Sequence, residues 1–172
     1  STVQNCSFHG ICFLGDFSNL DIYNCSVASC SYSGIRIAGY FHEMFFYTGE
    51  PDGVTIRKCR IHDNNKNGIL LDSSGTAYKV RDVHIIENNH IYNNDLAGIW
   101  VAEGCDVQAE PTIIKNNIIY STDLSQDNGI FLENDCDYVQ IVNNTLYGHD
   151  HGIHQDGASA NHWCNNNIIS IF

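Results

Sequence analysis

The 172-residue sequence predicts an all-β solenoid, a single domain covering residues 1–172. Two observations predict it: a repeated motif, and an excess of 20 Asn and 21 Ile residues. The motif reads apolar-x-x-Asn/Cys-x-apolar, where x is a variable residue. A variable segment and then Gly-Ile-x-apolar follow. Self-similarity of this kind is typical of stacked repeats, and the copies amount to about six to seven coils.

The clearest copies lie in the middle and C-terminal part of the chain. They are IRKCRI (56–61) with GILL (68–71), IENNHI (86–91) with GIWV (98–101), IKNNII (114–119) with GIFL (129–132), and IVNNTL (141–146) with GIHQ (152–155). Each contains two short alternating runs that indicate β-strands. Because the strands of one coil cannot bury their apolar face alone, we expect equivalent strands to stack about 4.8 Å apart around a continuous core.

One column of the repeat alternates between Cys and Asn. Its members are Cys6, Cys25, Cys59, Asn89, Asn117, Asn144 and Asn167. Cys is among the most buried residue types, so the column is expected to lie inside. A buried Asn needs partners, and its amide NH2 can donate to the carbonyl of the Asn one coil away. The sequence therefore predicts an Asn/Cys ladder, with the sequons at Asn5 and Asn24 buried beside it.

The cysteines allow two interpretations. Those of the ladder are expected to be small buried hydrophobic residues rather than disulfide partners. Cys105 and Cys136 each follow their Gly-Ile glycine by seven residues. They lie in loops that can adjust to disulfide geometry, and we consider them the better candidates for a bridge.

The repeated Gly-Ile strands and the Asn column resemble the right-handed parallel β-helix superfamily, the pectin-lyase-like fold. The resemblance covers nearly the whole chain and implies a single-stranded right-handed β-helix. That fold carries lyases, hydrolases, epimerases, tail spikes, metal-handling periplasmic proteins and adhesins, so it leaves the activity open. It implies a location that is extracellular, periplasmic or at the cell surface.

The charge of the chain restricts its partners. The net charge is −12 with only 8 Lys and Arg, so binding to the phosphates of nucleic acid or to anionic lipid is unfavourable. No run of 18 apolar residues predicts insertion into a membrane. The sequence also lacks an obvious cap at either end, and we expect an excerpt of a longer solenoid, or a unit that associates end to end or as a trimer.

The Gly-Ile strands predict an exposed row of side chains. If Ile and the residue two beyond it point inward, the outward positions are Arg36, Leu70, Trp100, Phe131 and His154 in successive coils. Two residues further on are Ala38, Asp72, Ala102, Glu133 and Asp156. Aromatic faces beside carboxylates suit a linear polysaccharide, and Arg36, Trp100 and Phe131 are the predicted binding residues. Alternatively, long loops such as residues 38–53 fold over this face and bury it.

A second outward column consists of His62, Tyr92, Tyr120 and Tyr147. Stacked tyrosines stabilise parallel sheets by ring packing, which is one explanation of the column. Sugar contact or proton transfer by these rings is the other.

The segment VNNTLYGHDHGIHQDG (142–157) concentrates the titratable residues. His beside Asp is suited to acid–base work near neutral pH, and Tyr147, Asp150, His154, Asp156 and Glu133 are the predicted catalytic residues. Tyr147-Gly148-His149-Asp150 resembles the start of the Tyr-Gly-x-Asp-x-His motif of mannuronan epimerases, related to alginate lyases. The resemblance implies proton exchange by Tyr with support from Asp, but Gly152 stands where the motif has its final His.

Two other interpretations of this segment remain open. It is a plain polar turn, or His149, His151 and His154 bind a metal ion together with Asp150 or Asp156. No cofactor is required by the sequence. Calcium is a candidate at the acidic turns of Asp63, Asp95, Asp123 and Asp127, although no known calcium-loop pattern is present.

The sequence is therefore consistent with three functions. The first is a polysaccharide-binding or polysaccharide-processing β-helix of lyase, epimerase or glycosidase type. The second is a noncatalytic structural or adhesive solenoid of a cell surface, spike or filament. The third is a periplasmic metal-handling β-helix. For a glycosidase, Glu133 and Asp156 on adjacent coils are the carboxylate pair.

Overall fold

The computed structural model describes residues 1–15, 17–39, 51–72, 84–102, 111–122, 127–134, 136–158 and 160–170. These residues form no helix, and every strand pair among them is parallel. Strands from successive coils stack in three sheets of six, seven and six strands, with one further two-stranded pair. The chain is an all-β solenoid of six to seven coils, which confirms the fold predicted from the repeats.

Each coil contributes one strand to each sheet. The strands of the first sheet are Asp21–Tyr23, Thr55–Arg57, Ile85–Glu87, Ile113–Lys115, Gln140–Val142 and Trp163–Asn165. Those of the second sheet are Thr2–Gln4, Ser26–Ala28, Arg60–His62, His90–Tyr92, Ile118–Tyr120, Thr145–Tyr147 and Ile168–Ser170. Those of the Gly-Ile sheet are Ile11–Leu14, Ile35–Ala38, Ile69–Asp72, Ala97–Val101, Asn128–Leu132 and His151–Gln155. Phe17–Ser18 and Pro51–Asp52 make the additional pair.

The core is a continuous column of aliphatic side chains inside the three sheets. Ile56, Ile61 and Ile69, one from each sheet of the same coil, are all 0% exposed. Equivalent residues of neighbouring coils pair in register, for example Ile61 with Ile91 and Ile91 with Ile119. Alternation along each short strand therefore sends one set of side chains inward and the other outward.

The predicted asparagine ladder occupies the corner between the first and second sheets. Asn89 Nδ2 donates to Asn117 Oδ1 at 3.0 Å, and Asn117 Nδ2 donates to Asn144 Oδ1 at 3.0 Å. Asn144 Nδ2 in turn donates to Asn167 Oδ1 at 3.1 Å. The same oxygens accept backbone N–H groups, such as that of Cys59 from Asn89 at 2.9 Å. The ladder side chains thus provide hydrogen-bond partners for backbone groups that do not pair with a neighbouring strand at the corner.

Cys6 does not belong to this column, contrary to the expectation from the sequence. Val3 pairs with Val27 in the second sheet, so Cys6 is the equivalent of Cys30, at the next corner of the coil. The spacing apolar-x-x-Cys occurs at both corners, which is why the pattern alone misassigned Cys6. Cys25 and Cys59 keep their predicted places, and Cys59 is buried.

The corner residues that precede the ladder adopt left-handed backbone. They are Asn24, Lys58, Asn88, Asn116, Asn143 and Asn166, with φ between 51° and 56°. Asn tolerates this region better than other residues with side chains, which explains the Asn-Asn pairs of the repeat. The sequon residue Asn24 lies at this corner and Asn5 at the next one. Both have left-handed backbone and are exposed, so the expectation that they are buried is wrong.

The glycines that begin the Gly-Ile motifs at Gly10, Gly34, Gly68, Gly129 and Gly152 are required by close packing between coils. A Cβ at Gly129 would lie 2.5 Å from the carbonyl oxygen of Gly152 and 2.6 Å from Leu146 Cδ2. A Cβ at Gly68 would lie 2.6 Å from the Gly98 oxygen. Any larger residue would push the Gly-Ile strands apart and displace the outward side chains that follow.

Replacing Asn117 with Ala tests the ladder. At least two buried groups would lose partners at roughly 1–3 kcal/mol each, so we expect the free energy of unfolding to fall by about 2–4 kcal/mol. Urea titration followed by circular dichroism measures this. The exposed Asn65→Ala is the matched control and should stay within about 0.5 kcal/mol of wild type. Equal losses for the two variants would contradict the role given to the ladder.

Candidate functional site

The outward side chains of the Gly-Ile sheet form one row across the coils. The register aligns Cys12, Arg36, Leu70, Trp100, Phe131 and His154. From Arg36 to His154 all are partly exposed. The row exists because the Gly-Ile strands pair in register, so that the residue two positions after each Gly-Ile glycine points outward on every coil.

A second row lies two residues further along each strand. Asp72 pairs with Ala38. The backbone N–H groups of Glu133 and Asp156 continue the ladder by donating to Val101 and Leu132, both at 2.9 Å. Ala38 and an equivalent Ala102 are buried, whereas Asp72 and Glu133 are partly exposed and Asp156 is exposed. The row therefore contains two buried alanines and three carboxylates, with Glu133 and Asp156 on adjacent coils.

Trp100 is held in place by its neighbours on the next coil. Its Nε1–H donates to Glu133 Oε2 at 3.1 Å, and its ring meets Phe131 edge to face with centroids 4.8 Å apart. Phe131 in turn packs on His154 at 5.1 Å. These contacts fix the orientation of the aromatic row before any ligand binds.

His154 has a polar partner that determines which nitrogen carries its proton. Its Nδ1 lies 3.0 Å from Asn128 Oδ1, and an amide oxygen only accepts, so the neutral imidazole donates from Nδ1. Nε2 then keeps its lone pair. The His151 ring stacks on that of His154 with centroids 4.7 Å apart. In this arrangement His154 can act as a general base through Nε2.

Arg36 lies toward the other end of the row and forms an ion pair with a carboxylate. Its Nη2 donates to Asp72 Oδ2 at 2.5 Å, with side-chain exposures of 19% and 13%. His9 lies beside it and accepts the Ser33 backbone N–H through Nδ1 at 3.2 Å. Burial lowers the pKa of His9, and the nearby Arg36 charge lowers it further. His9 is therefore kept neutral next to the guanidinium.

A shallow cavity lies in the middle of the face. It has a volume of about 250 Å³ and is lined by Asn67, Leu70, Asp72, Trp100, Ala102 and Glu133. Asn67 is 4% exposed, and its Oδ1 is buried without a hydrogen-bond partner in the described part of the chain. Sequence reasoning missed Asn67 because it precedes the Gly-Ile glycine, where no outward position was expected.

Tyr147 and Asp150 lie apart from the outward row. Tyr147 belongs to the second sheet, where its ring stacks on Tyr120 at 4.9 Å and 3°. The stack continues through Tyr92 to His62 at 4.9 and 4.6 Å, so the predicted aromatic column exists as a stack of parallel rings. Asp150 is exposed in the turn that joins the second sheet to the Gly-Ile sheet.

His149 is an internal residue, contrary to the metal-binding hypothesis that grouped it with His151 and His154. It is 2% exposed, and its Nε2 lies 3.3 Å from the Ile119 carbonyl. It follows Leu146 by three residues, as Asn94 follows Ile91. Asn94 Nδ2 likewise contacts the carbonyl of the preceding coil, that of Ile61 at 3.4 Å.

These residues form a second internal ladder that sequence reasoning missed. Asn64 Nδ2 donates to Asn94 Oδ1 at 2.9 Å, and Asn64 Oδ1 accepts the Cys30 backbone N–H at 3.1 Å. The signal was available as a column three residues after the second apolar position. It went unnoticed because the residue type in that column changes between Cys, Asn and His.

Several predicted features fall on residues that are not described. These are Cys105 of the disulfide candidate, Asp123 of the acidic turns, and residues 40–50 of the loop expected to cover the face. Cys136 Sγ lies 2.9 Å from the Ala102 carbonyl oxygen. Within the described ranges, no three His, Cys, Asp or Glu side chains are grouped so that they could hold a metal ion. Those ranges also contain no helix long and apolar enough to cross a membrane.

Comparison with known proteins identifies the architecture. A family model described as a right handed beta helix region matches residues 1–169. No curated protein sequence matches the chain significantly.

Three solved structures resemble the chain. One is the periplasmic alginate epimerase AlgG, T265N mutant, with a TM-score of 0.67, 14% identity, and coverage of 99% of this chain and 38% of that one. The others are Azotobacter vinelandii mannuronan C-5 epimerase A-modules. AlgE4 has a TM-score of 0.64, 16% identity, and coverage of 93% and 50%. AlgE6 has a TM-score of 0.67, 15% identity, and coverage of 98% and 51%. The chain thus spans about half or less of each of them.

Substitutions at His149 distinguish an internal support from a surface ligand. We expect His149→Asn to be nearly neutral, because Asn can donate to the Ile119 carbonyl as Asn94, in the same column two coils away, donates to the Ile61 carbonyl. His149→Ala leaves that carbonyl unsatisfied and should lower the free energy of unfolding by about 1–3 kcal/mol, measured by urea titration. Asp150→Ala, in the exposed turn, is the control. If Asn and Ala were equally destabilising, the ladder role would be wrong.

The lowered pKa of His9 predicts a dependence of stability on pH. As pH falls below about 6.5, the unfolded chain binds a proton at this residue while the folded chain does not. The free energy of unfolding should therefore fall from about pH 6.5 downward, until the lowered folded-state pKa is reached. Thermal unfolding between pH 7.5 and 5 should show a shallower decline for His9→Gln than for wild type. Tyr32→Phe alters the same ring cluster and should keep the wild-type slope; a common slope for all three proteins would contradict the prediction.

Proposed function

The chain belongs to the right-handed β-helix family, and from that premise we propose that the outward face of its Gly-Ile sheet binds and processes an extended polysaccharide. The observation that carries the proposal is the register-aligned row of Trp100, Phe131 and His154 beside the carboxylates of Glu133 and Asp156. We also propose that the protein acts in the periplasm or outside the cell, where such polymers occur.

The dimensions of the row fit a linear polymer. Five coils from Arg36 to His154 correspond to four strand spacings, or roughly 19 Å at about 4.8 Å each. A single side chain or a compact metabolite does not need a face of this length. A chain molecule lying across the coils would contact one outward residue per coil.

The chemistry of the side chains fits sugars. Trp100 and Phe131 offer apolar ring surface for the C–H faces of a pyranose. Glu133 and Asp72 accept hydrogen bonds from hydroxyl groups at the edge of those rings. The hydrogen bond between Trp100 and Glu133 orients both in advance, which lowers the entropy lost on binding.

Acid–base chemistry would take place at the His154 end of the row. Glu133 and Asp156 occupy equivalent positions on adjacent coils, and backbones about 4.8 Å apart allow carboxyl separations near the roughly 5–5.5 Å of retaining glycosidases. His154, donating from Nδ1 to Asn128, presents Nε2 as a base beside them. Tyr147 and Asp150 remain candidates for proton exchange from the neighbouring sheet and turn.

The comparisons support this proposal at a coarse level. The three similar structures are, by their descriptions, alginate or mannuronan epimerases. Their low identity supports a polysaccharide-processing β-helix without specifying the reaction or the sugar.

Incubation with a panel of polysaccharides tests the proposal. The full natural protein should release reducing ends, or form unsaturated or epimerised sugars, from at least one polymer. Glu133→Gln and Asp156→Asn should each lower that rate by about 10²-fold or more, as expected for a lost acid or base. Glu87→Gln, a matched change on the first sheet, should retain full activity.

The absence of both turnover and binding favours the alternative function, a noncatalytic structural or adhesive solenoid. Neither turnover nor binding of any polymer, together with end-to-end association in sedimentation experiments, would leave a noncatalytic solenoid as the function. Full activity in both Glu133→Gln and Asp156→Asn would show that the chemistry lies elsewhere on the chain.

A further inference from the structure

Each of the two internal ladders begins with a pair of cysteines. Along successive coils, the corner between the first and second sheets holds Cys25, Cys59 and Asn89, and the next corner holds Cys6, Cys30 and Asn64. The first amide of each ladder binds the cysteine before it. Asn89 Oδ1 accepts the Cys59 backbone N–H at 2.9 Å, and Asn64 Oδ1 accepts that of Cys30 at 3.1 Å. At both corners, sulfur atoms therefore take the positions that amides hold in later coils.

The two cysteines of each pair are neighbours on adjacent coils. Strand pairing places Cys25 beside Cys59. In the same way it places Cys6 beside Cys30. In-register coils are about 4.8 Å apart, within the roughly 4.4–6.8 Å that a disulfide allows between Cα atoms. The spacing of the coils therefore suits a covalent bridge at both corners.

The side chains of each pair also point the same way. Cys25 Sγ and Cys59 Sγ each donate to the carbonyl two residues earlier, at 3.4 and 3.3 Å. Cys6 and Cys30 repeat this contact at 3.8 and 3.4 Å. The two sulfurs of a pair are therefore stacked like the amides of the ladder rather than turned away from each other.

Each pair has one buried and one accessible sulfur. Cys59 and Cys30 are 2% and 0% exposed. Their partners, Cys25 and Cys6, are half-buried. Burial raises the pKa of the Cys59 thiol, whose sulfur also lies within hydrogen-bond reach of Cys25, and burial raises the pKa of Cys30 beside Cys6. An oxidant in solution therefore reaches the half-buried partner first.

We infer that Cys25 with Cys59, and Cys6 with Cys30, are sites of disulfide formation, so that two bridges join three successive coils in an oxidising compartment. The middle coil carries one cysteine of each pair and is bridged on both sides. All four residues are thiols in the structure, and the inference concerns their oxidation. It goes beyond the proposed function and does not depend on it.

The reaction is an exchange with a small disulfide such as oxidised glutathione. The half-buried cysteine, as a thiolate, attacks that disulfide, so that a mixed disulfide forms and one glutathione thiolate leaves. The buried cysteine then loses its proton, attacks the protein sulfur of the mixed disulfide and displaces the second glutathione. Two protein thiols lose two electrons in total, and one glutathione disulfide gains them to become two thiols.

Mass spectrometry of the full natural protein tests the inference. The protein is equilibrated with oxidised glutathione, and the remaining thiols are alkylated in denaturant. Tandem spectra should find neither alkyl label nor glutathione on any of the four cysteines. Four cysteines allow three connectivities, and the structure specifies one of them. Cys59→Ser should therefore leave Cys25 unbridged while the other pair stays bridged, and Cys30→Ser should leave Cys6 unbridged.

Cys164→Ser is the matched control. The register aligns the exposed Cys164 with Ile141 rather than with a cysteine, so this replacement should leave both bridges intact.

Reduction of the bridges should also lower thermal stability. The melting temperature of the oxidised wild type should fall by at least about 5 °C on reduction, because each bridge restricts the unfolded chain. The double variant Cys25→Ser/Cys30→Ser removes one cysteine of each pair and should lose most of that fall.

Three results would overturn the inference. The first is label or glutathione on all four cysteines of the oxidised wild type. The second is a bridge at one corner alone, which removes the assignment at the other. The third is a Cys59→Ser variant in which Cys6 or Cys30, rather than Cys25, becomes unbridged. Each of these results leaves the polysaccharide-binding face standing, because binding to that face is measured separately.

Discussion

The hydrogen bonding of each coil to the next, in register, is the constraint on which the rest of the structure depends. Coils as short as these have no core of their own, so each strand is satisfied by its equivalents above and below. Two interior ladders hold the corners, one through Asn89, Asn117 and Asn144 and the other through Asn64 and Asn94. Because the corners are fixed, no strand can slip by one residue, and a slip would exchange the inner and outer faces.

The same constraint builds the candidate site. A side chain that points outward from one Gly-Ile strand has a counterpart directly beside it on the next coil. Trp100, Phe131 and His154 therefore meet in a row, although Phe131 is 31 residues after Trp100 and His154 is 23 residues after Phe131 in the sequence. The fold supplies the spacing, and the residue chosen at each outward position supplies the chemistry.

The sequence predicted the features that depend on periodicity. The stacked coils, the first ladder and the stacked Tyr92, Tyr120 and Tyr147 all follow from repeated spacing, whereas the sequence predicted two strands per coil and the structure has three. Cys6 was misplaced because apolar-x-x-Cys occurs at both corners, and only strand pairing distinguishes them. The burial of His149 and the contact between Trp100 Nε1 and Glu133 depend on side-chain direction, which a repeat of residue types does not specify.

The fluorescence of Trp100 tests most directly whether the outward row is the glycan-binding face. The chain has two tryptophans, and the second, Trp163, is 63% exposed on the first sheet. In Trp163→Phe, titration with an oligosaccharide from a polymer that the protein processes should change the emission of Trp100 in a saturable manner. In Trp100→Phe, where Trp163 is the remaining reporter, the same titration should leave the emission unchanged. A saturable change confined to Trp163 would place the ligand on another face and contradict the account.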